Sequence, residues 1–403
     1  MKHLIIGCGP AALSAAATLR KADPTGKVTI LSRERVRPYA RMALPYLLAG
    51  KIEEKEFFHT EPAGVELLLG EEVLRIDPRG REVVTAAGKS FAYDRLLIAT
   101  GSTPERLQIE GGSLPFVFTV RDLPDVMRIR ERLPGRTGRA VIAGAGPVGM
   151  EIGDALQGLG MAITFVVTSN RVFSTILDSP GAELVRRKLE EKGIEIRTGE
   201  EIVRIGEEGE VFLKSGEQRK CDILILGKGV TPCLPFLAGS GVAVGRGIRV
   251  DDRQETNCPG VYAAGDVAEA RDIVYEDNRV HALWPVAVEQ GRVAALNMAG
   301  IPAVYPGGLA RNILRVFGLS ILTAGRGRDE GPEVRRSTTG ENYHKIVLDR
   351  GVLQGMIFIG EGRNEGLSTA LIKSGADVAS YADSLLKGSY CYARHLARSM
   401  KLM

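Results

Sequence analysis

The sequence predicts an α/β fold: two parallel-sheet domains of the same construction, followed by an α+β module. Three observations predict it. A short apolar strand, Leu4-Ile5-Ile6, runs into the glycine turn Gly7-Cys8-Gly9-Pro10-Ala11-Ala12 and then into an alanine-rich helical stretch. The same order returns at Val141-Ile142-Ala143 and Gly144-Ala145-Gly146-Pro147-Val148-Gly149. Each copy also has a later apolar strand that ends in glycine, Leu96 to Gly101 and Ile223 to Gly227. Parts that recur in one order mark an internal duplication, and strand, glycine turn and helix are the unit of a doubly wound sheet.

In the first copy the pattern is G-x-G-x-x-A. Gly7 allows a tight turn, Gly9 lets the backbone approach a pyrophosphate, and small Ala12 lets the helix pack close to the strand. The helix N-terminus offers free N–H groups and a positive dipole end to phosphate. A second strand, Val28 to Leu31, leads to Ser32, Arg33 and Glu34, where a ribose hydroxyl needs a partner; either Ser32 or Glu34 can fill that place. Lys2, the apolar run and Ala15-Ala16-Ala17 also imitate a secretory signal peptide, but two glycines and a proline inside the run, and the strand that follows, argue against it.

Further along comes the loop Arg37 to Tyr46, with two prolines and two tyrosines, then strands and turns from Val65 to Phe91. The strand from Tyr93 ends in Ala99-Thr100-Gly101. The second copy has the full G-x-G-x-x-G, Gly144 to Gly149, with Glu151 two residues on. Its next strand, Ile163 to Val167, ends without an acid and is followed by Thr168, Ser169 and Arg171. A helix is expected from Ala182 to Lys192, and a strand from Cys221 to Gly227. A short strand then ends in Ala263-Ala264-Gly265-Asp266, with the Asp placed to accept from sugar-like hydroxyls, and a helix opens near Val286. Strands Tyr343–Leu348 and Val352–Ile359 flank Asp349-Arg350-Gly351 as a hairpin.

Composition narrows the function. A net charge of +4 makes no case for nucleic acid or an anionic membrane as partner. No apolar run reaches the roughly 18–20 residues of a membrane span. The five cysteines, Cys8, Cys221, Cys233, Cys258 and Cys391, are scattered and contain no C-x-x-C, which is the usage of a reduced compartment and not of a disulfide scaffold or metal site. The cytoplasm is the expected location.

With these motifs in order, the chain resembles the FAD-dependent pyridine nucleotide-disulfide oxidoreductases, proteins with two Rossmann-like dinucleotide-binding domains and a C-terminal interface domain. The resemblance covers nearly all of residues 1–310 and, more loosely, the rest. It implies an FAD-binding domain at 1–112 and 243–310, an NAD(P)-binding domain at 113–242 and an interface domain at 311–403. For FAD it implies contacts from Gly7, Gly9, Pro10, Ala11, Ala12, Ser32, Arg33, Glu34, Arg41, Val73, Ala99, Thr100, Gly101, Gly265 and Asp266, with the helix near Val286 aimed at the flavin. For NAD(H) or NADP(H) it implies Gly144, Gly146, Pro147, Val148, Gly149, Glu151, Thr168, Arg171 and Gly227. Glu151 and Arg41 take the catalytic places, and no metal is implied. Glu151 reads either as the glutamate beside the nicotinamide or as a first-turn acid favoured by the helix dipole. Arg171 reads either as a partner for a 2′-phosphate or as a loop cap, so NADH and NADPH stay open.

Two features set the subclass. In one branch of the family a redox cysteine opens a C-G-L-P-Y-like loop; here the segment is Met42-Ala43-Leu44-Pro45-Tyr46, and Met42 forms neither thiolate nor disulfide. The C-x-x-x-x-C pair and the His-Pro-Thr signature of another branch are absent; His344 reads as an exposed strand residue and Cys8 as a packing residue. The loop is similar to the rubredoxin-, ferredoxin- and nitrite-reductase-associated branch, and to flavin subunits of anaerobic complexes such as phenylglyoxylate dehydrogenase and tungsten-dependent aldehyde oxidoreductase. The expected activity is therefore FAD-dependent transfer between NAD(P)(H) and an iron–sulfur partner protein or subunit, with a homodimer also open. A small-acceptor NAD(P)H oxidase or reductase, and a flavin-bound structural subunit, are the alternatives. The tail, Tyr390, Tyr392, Arg394, His395, Arg398 and Lys401, reads as a docking surface, a solvated basic end or a dimer contact.

Overall fold

A computed structural model describes residues 1–133, 137–360 and 365–387. The chain forms two compact units, one of residues 1–104 and 230–309, the other of residues 105–229 and 310–403. The basic and aromatic tail named above lies outside the described residues.

The first unit is built on a five-stranded sheet in the order Val261–Ala263, Arg95–Ile98, Lys2–Ile6, Lys27–Ser32, Glu66–Leu69. All its pairings are parallel. The strands are near-continuous apolar runs because both faces are covered. On one face lies the helix Pro10–Ala22, which buries Ala11, Ala12, Ala15, Ala16 and Leu19. Those small residues sit on one helical face and admit a second helix, Trp284–Met298, at short range. A Cβ on Gly291 would lie 2.2 Å from the Ala11 carbonyl oxygen, so glycine is required at that crossing. Arg20 and Lys21 in the last turn of the first helix complement its dipole.

The second unit repeats the sheet in the order Glu195–Thr198, Met161–Val167, Gly138–Ala143, Ile223–Leu226, Val117–Thr119, again parallel. The fifth strand differs in origin. In the first unit it follows the fingerprint in sequence; in the second, Val117–Thr119 precedes it.

The same unit carries a five-stranded antiparallel sheet in the order Arg311–Val316, Leu319–Gly325, Val352–Ile359, Asn342–Asp349, Glu333–Thr339, with the helix Glu365–Ser374 after it. It is tied to the helices that flank the parallel sheet by polar contacts. Asp154 accepts the Phe317 N–H at 2.7 Å, and Tyr343 Oη donates to Asp178 at 2.6 Å. Fully buried Lys345 lies 3.2 Å from Asp178 and donates to the Asp329 carbonyl at 2.9 Å. His344 is not the exposed residue that alternation suggested. It is half-buried, its ring tilted on Phe358 with centroids 4.6 Å apart, and its Nδ1 lies 2.7 Å from the Leu386 carbonyl.

Candidate functional site

Two glycine turns of the same geometry stand one on each parallel sheet. In the first unit Gly7 has φ +103°, and a Cβ there would lie 2.2 Å from the Ala99 carbonyl oxygen. The turn therefore crosses directly against the end of the neighbouring strand, where only glycine fits. Gly9 is the opposite case: a Cβ would meet nothing within 4 Å, so open room lies beside the backbone. Gly9 caps the helix without a side chain, Pro10 opens it, and the first helical backbone bond runs from Leu13 N–H to Gly9 O. The Ala11 and Ala12 N–H groups precede that ladder and face no earlier carbonyl. This is the cradle that a pyrophosphate needs, so the residues present fit a dinucleotide.

The acids of this unit are held in place by neighbours. Glu34 accepts from Tyr39 Oη at 2.7 Å and is ion-paired with Arg41, which also donates to Tyr39 Oη at 3.0 Å. Ser32 is buried and its Oγ accepts the Glu34 N–H at 3.2 Å. Arg33, between them, points outward as an exposed residue. Asp266 accepts from Ser102 Oγ at 2.8 Å, and the Gly265 N–H before it is held by Gln290 Oε1 at 2.8 Å. Thr100 Oγ1 donates to the Cys233 carbonyl at 3.2 Å, and the Cys233 N–H returns to Gly101 O at 3.0 Å, fixing the strand end that follows Ala99. Val73 opens the strand Val73–Asp77 and packs on the core of this unit. In the helix Trp284–Met298 the first backbone bond is Ala287 N–H to Leu283 O, so the Val286 N–H precedes the ladder.

The surroundings of Cys8 disfavour its thiolate. Burial pushes its thiol up to about 12, and the nearby Glu34 and Glu61 carboxylates add to the shift. Met42, in contrast, is 62% exposed on a short 3₁₀ turn, with Tyr46 exposed one helical turn beyond.

The second unit repeats the geometry. Gly144 has φ +111°, and its Cβ would lie 2.4 Å from the Gly227 carbonyl oxygen. A Cβ on Gly149 would strike Gly144 O at 2.3 Å, whereas one on Gly146 would meet nothing within 4 Å. Pro147 opens the helix Pro147–Gly158 and the first backbone bond is Met150 N–H to Gly146 O, so the Val148 and Gly149 N–H groups precede the ladder. The second turn therefore fits a dinucleotide as the first does.

Glu151 is the fifth residue of that helix, and the first turn contains no acid. The dipole account of Glu151 as a first-turn acid is thereby removed. The side chain is half-buried; burial, and then Asp154 one turn on, push its carboxyl up from 4.5 to about 7. At the end of Met161–Val167, Val167 is buried and Thr168 exposed. Thr168 Oγ1 accepts from Lys228 Nζ at 2.6 Å. Ser169 Oγ donates to the Arg171 carbonyl at 2.8 Å, and the buried Arg171 Nε has no hydrogen-bond partner among the described residues.

Sequence reading named the glycines and acids but not Tyr39, Ser102, Gln290 or Lys228, which hold or flank them. Lys228 alone had a local signal, standing inside Gly227-x-Gly229. Among the described residues no group of three His, Cys, Asp or Glu could hold a metal ion, and no helix is long and apolar enough to cross a membrane.

Comparison with known proteins places this geometry. The family model for pyridine nucleotide-disulphide oxidoreductase matches residues 1–291. The epsilon subunit of NADH-dependent phenylglyoxylate dehydrogenase from Aromatoleum evansii is 31% identical over 393 residues, covering 94% of this chain and 92% of the relative. Rubredoxin-NAD(+) reductase from Pseudomonas putida is 31% identical over 318 residues, covering 76% of this chain and 82% of the relative. Among solved structures, an NAD-dependent persulfide reductase from A. fulgidus superposes with a TM-score of 0.88 at 25% identity, covering 95% of this chain and 78% of that one.

Proposed function

The chain belongs to the pyridine nucleotide-disulphide oxidoreductase family, and from that premise we propose that it exchanges a hydride between NAD(P)(H) and FAD and passes electrons to or from an iron–sulfur partner protein or subunit. The observation that carries the reading is the pair of glycine turns, each crossing against a second strand and each open beside its middle glycine. FAD, when bound, accepts two electrons as a hydride and releases them singly. The first unit holds it: the Ala11 and Ala12 N–H groups meet the pyrophosphate, Glu34 or Ser32 the ribose, and Asp266 the ribityl chain. The N-terminus of Trp284–Met298 offers its positive end to charge on the reduced ring. The second unit holds the nicotinamide nucleotide, with the Val148 and Gly149 N–H groups on its pyrophosphate and Glu151 on the carboxamide. In family terms, residues 1–112 and 243–310 form the FAD domain, 113–242 the NAD(P) domain and 311–403 an interface domain.

The partner follows from Met42. A thioether cannot relay electrons as a thiol–disulfide pair does, so electrons leave by close approach of another redox group. Rubredoxin and a multi-subunit dehydrogenase are the associates in the names of two relatives, and both suit a cytoplasmic location. Anaerobic titration with NADH and with NADPH tests the first half: the flavin absorbance should bleach with at least one of them. Purification from the native source, with iron and sulfide analysis of what co-purifies, tests the second. A bare homodimer with fast oxygen turnover would replace the partner model with an oxidase.

A further inference from the structure

We propose that Lys228, acting with Thr168 and Arg171, makes the nicotinamide-nucleotide site selective for the 2′-phosphorylated dinucleotide, NADP(H). The inference rests on the reading that the second glycine turn holds that nucleotide.

In a parallel sheet with a glycine turn after its central strand, the adenosine ribose lies at the end of the next strand. Here that strand is Met161–Val167, and its last residue is a buried valine. Its carbonyl accepts the Glu200 N–H at 3.1 Å, and among the described residues the strand itself ends without an acid to pair with a 2′-hydroxyl or to repel a phosphate. The next acid along the sheet, Glu200, follows Glu195–Thr198, and its carboxylate accepts the Ser215 N–H at 3.3 Å, in the adjoining turn.

In place of an acid the site gathers cations. Lys228 stands two residues beyond Ile223–Leu226, on the far side of the central strand Gly138–Ala143 from Thr168. Its ammonium reaches across to Thr168 Oγ1 at 2.6 Å, spanning the fingerprint turn. Arg171 lies three residues beyond Thr168, in the loop that Ser169 pins. Both side chains are half-buried, and among the described residues neither has a carboxylate partner. Two other half-buried cations of this unit are paired with carboxylates: Arg197 with Glu217, and Arg219 with Glu195. Partly desolvated cations without counter-ions are costly unless an anion completes them. The threonine satisfies one of three ammonium donors and leaves two, and the orphaned Arg171 Nε adds another. A ribose 2′-phosphate supplies the missing charge and three acceptor oxygens, in charge-assisted hydrogen bonds.

The test is isothermal titration of the flavin-loaded protein with 2′,5′-ADP and with 5′-AMP, which differ only in the 2′-phosphate. The expected result is 2′,5′-ADP binding at least about tenfold tighter, with the ratio shrinking as salt rises. Lys228→Met should cut that ratio by about tenfold. Thr168→Asp, which puts a carboxylate beside the ribose, should invert it; this surface substitution keeps the test decisive if the lysine variant fails to fold. Equal or tighter binding of 5′-AMP by the native protein, or a ratio unchanged in both variants, overturns the inference. If NADH also bleaches the flavin in that case, the nucleotide site stands and only its selectivity is wrong. If neither NADH nor NADPH bleaches it, the site assignment and the inference fall together.

Discussion

Glu151→Gln separates two effects that the raised carboxyl combines. The folded chain holds this group at about 7 against an ordinary 4.5, because burial and Asp154 both disfavour its charge. Between those values the folded state binds the proton more tightly than the unfolded chain, so stability falls as pH rises from 4.5 to about 7. The full difference corresponds to about 3 kcal/mol, an upper bound because the side chain keeps some contact with solvent. Glutamine never ionises, so the variant should unfold at a higher temperature than the native protein at pH 8 and with little difference near pH 4.5. Nucleotide binding should respond in the opposite sense. If the carboxylate accepts from the nicotinamide carboxamide, affinity is full above the folded value and weakens by up to about tenfold per pH unit below it. The assay is equilibrium binding of the oxidised nucleotide from about pH 5.5 to 8.5, which excludes protons taken up on flavin reduction. The native protein should show this slope and Glu151→Gln should be flat. A native protein with pH-independent affinity, or a variant that keeps the slope, refutes the assignment of Glu151.

The other predictions concern the turns, the cysteines and the buried charges. Gly9→Val fills the open room beside the first turn, so it should purify with little flavin; Asp266→Ala should lower flavin content through loss of a ribityl acceptor, and full absorbance in both would move FAD elsewhere. Gly146→Val should retain flavin yet reduce it far more slowly in anaerobic stopped flow with NAD(P)H. Alkylation should leave NAD(P)H–dye activity largely intact, because burial holds Cys8 and Cys221 as thiols near 12; loss of activity in step with modification of Cys8 would contradict this. Lys345→Ala leaves Asp178 buried beside a vacancy, and should lower the unfolding free energy by about 3–5 kcal/mol in denaturant titration.

The fold was legible where one residue type alone satisfies a backbone demand. Gly7 and Gly144 both sit at positive φ against a neighbouring carbonyl oxygen, and a requirement that strict is written in the sequence as glycine. Apolar runs gave the central strands for the same reason: burial on both faces leaves no choice. Val117–Thr119 escaped notice because three residues carry no period. His344 misled because strand alternation says which face a side chain takes, not what covers that face; here a distant segment, ending at Leu386, does so. Site partners failed for a similar reason. Ser102 and Asp266 are 164 residues apart and Tyr39 is an ordinary loop tyrosine until the turn folds. Pairing of this kind belongs to tertiary structure, not to any local pattern.

Under the proposed assignment, with FAD on the first unit and NADP(H) on the second, one scaffold must keep two similar dinucleotides apart. Both turns present the same backbone to a pyrophosphate, so neither discriminates by that contact. They differ at the end of the second strand. The first unit has Glu34 there, oriented by Tyr39 and Arg41; the second has Val167, flanked by Lys228 and Arg171 without counter-ions. A ribose with free hydroxyls suits the first arrangement, and a 2′-phosphate there would meet a like charge, which costs binding. The same nucleotide in the second unit completes two cations, whereas FAD would leave them unpaired. Exchanging only these positions is therefore the sharpest probe of the division. Glu34→Val should weaken FAD retention without creating a phosphate site, because Arg33 and Arg35 are exposed to solvent and Arg41 stays stacked on Tyr39. Measurable 2′,5′-ADP binding at the first unit of that variant would show that loss of the acid, not gain of the lysine, is what selects the nucleotide.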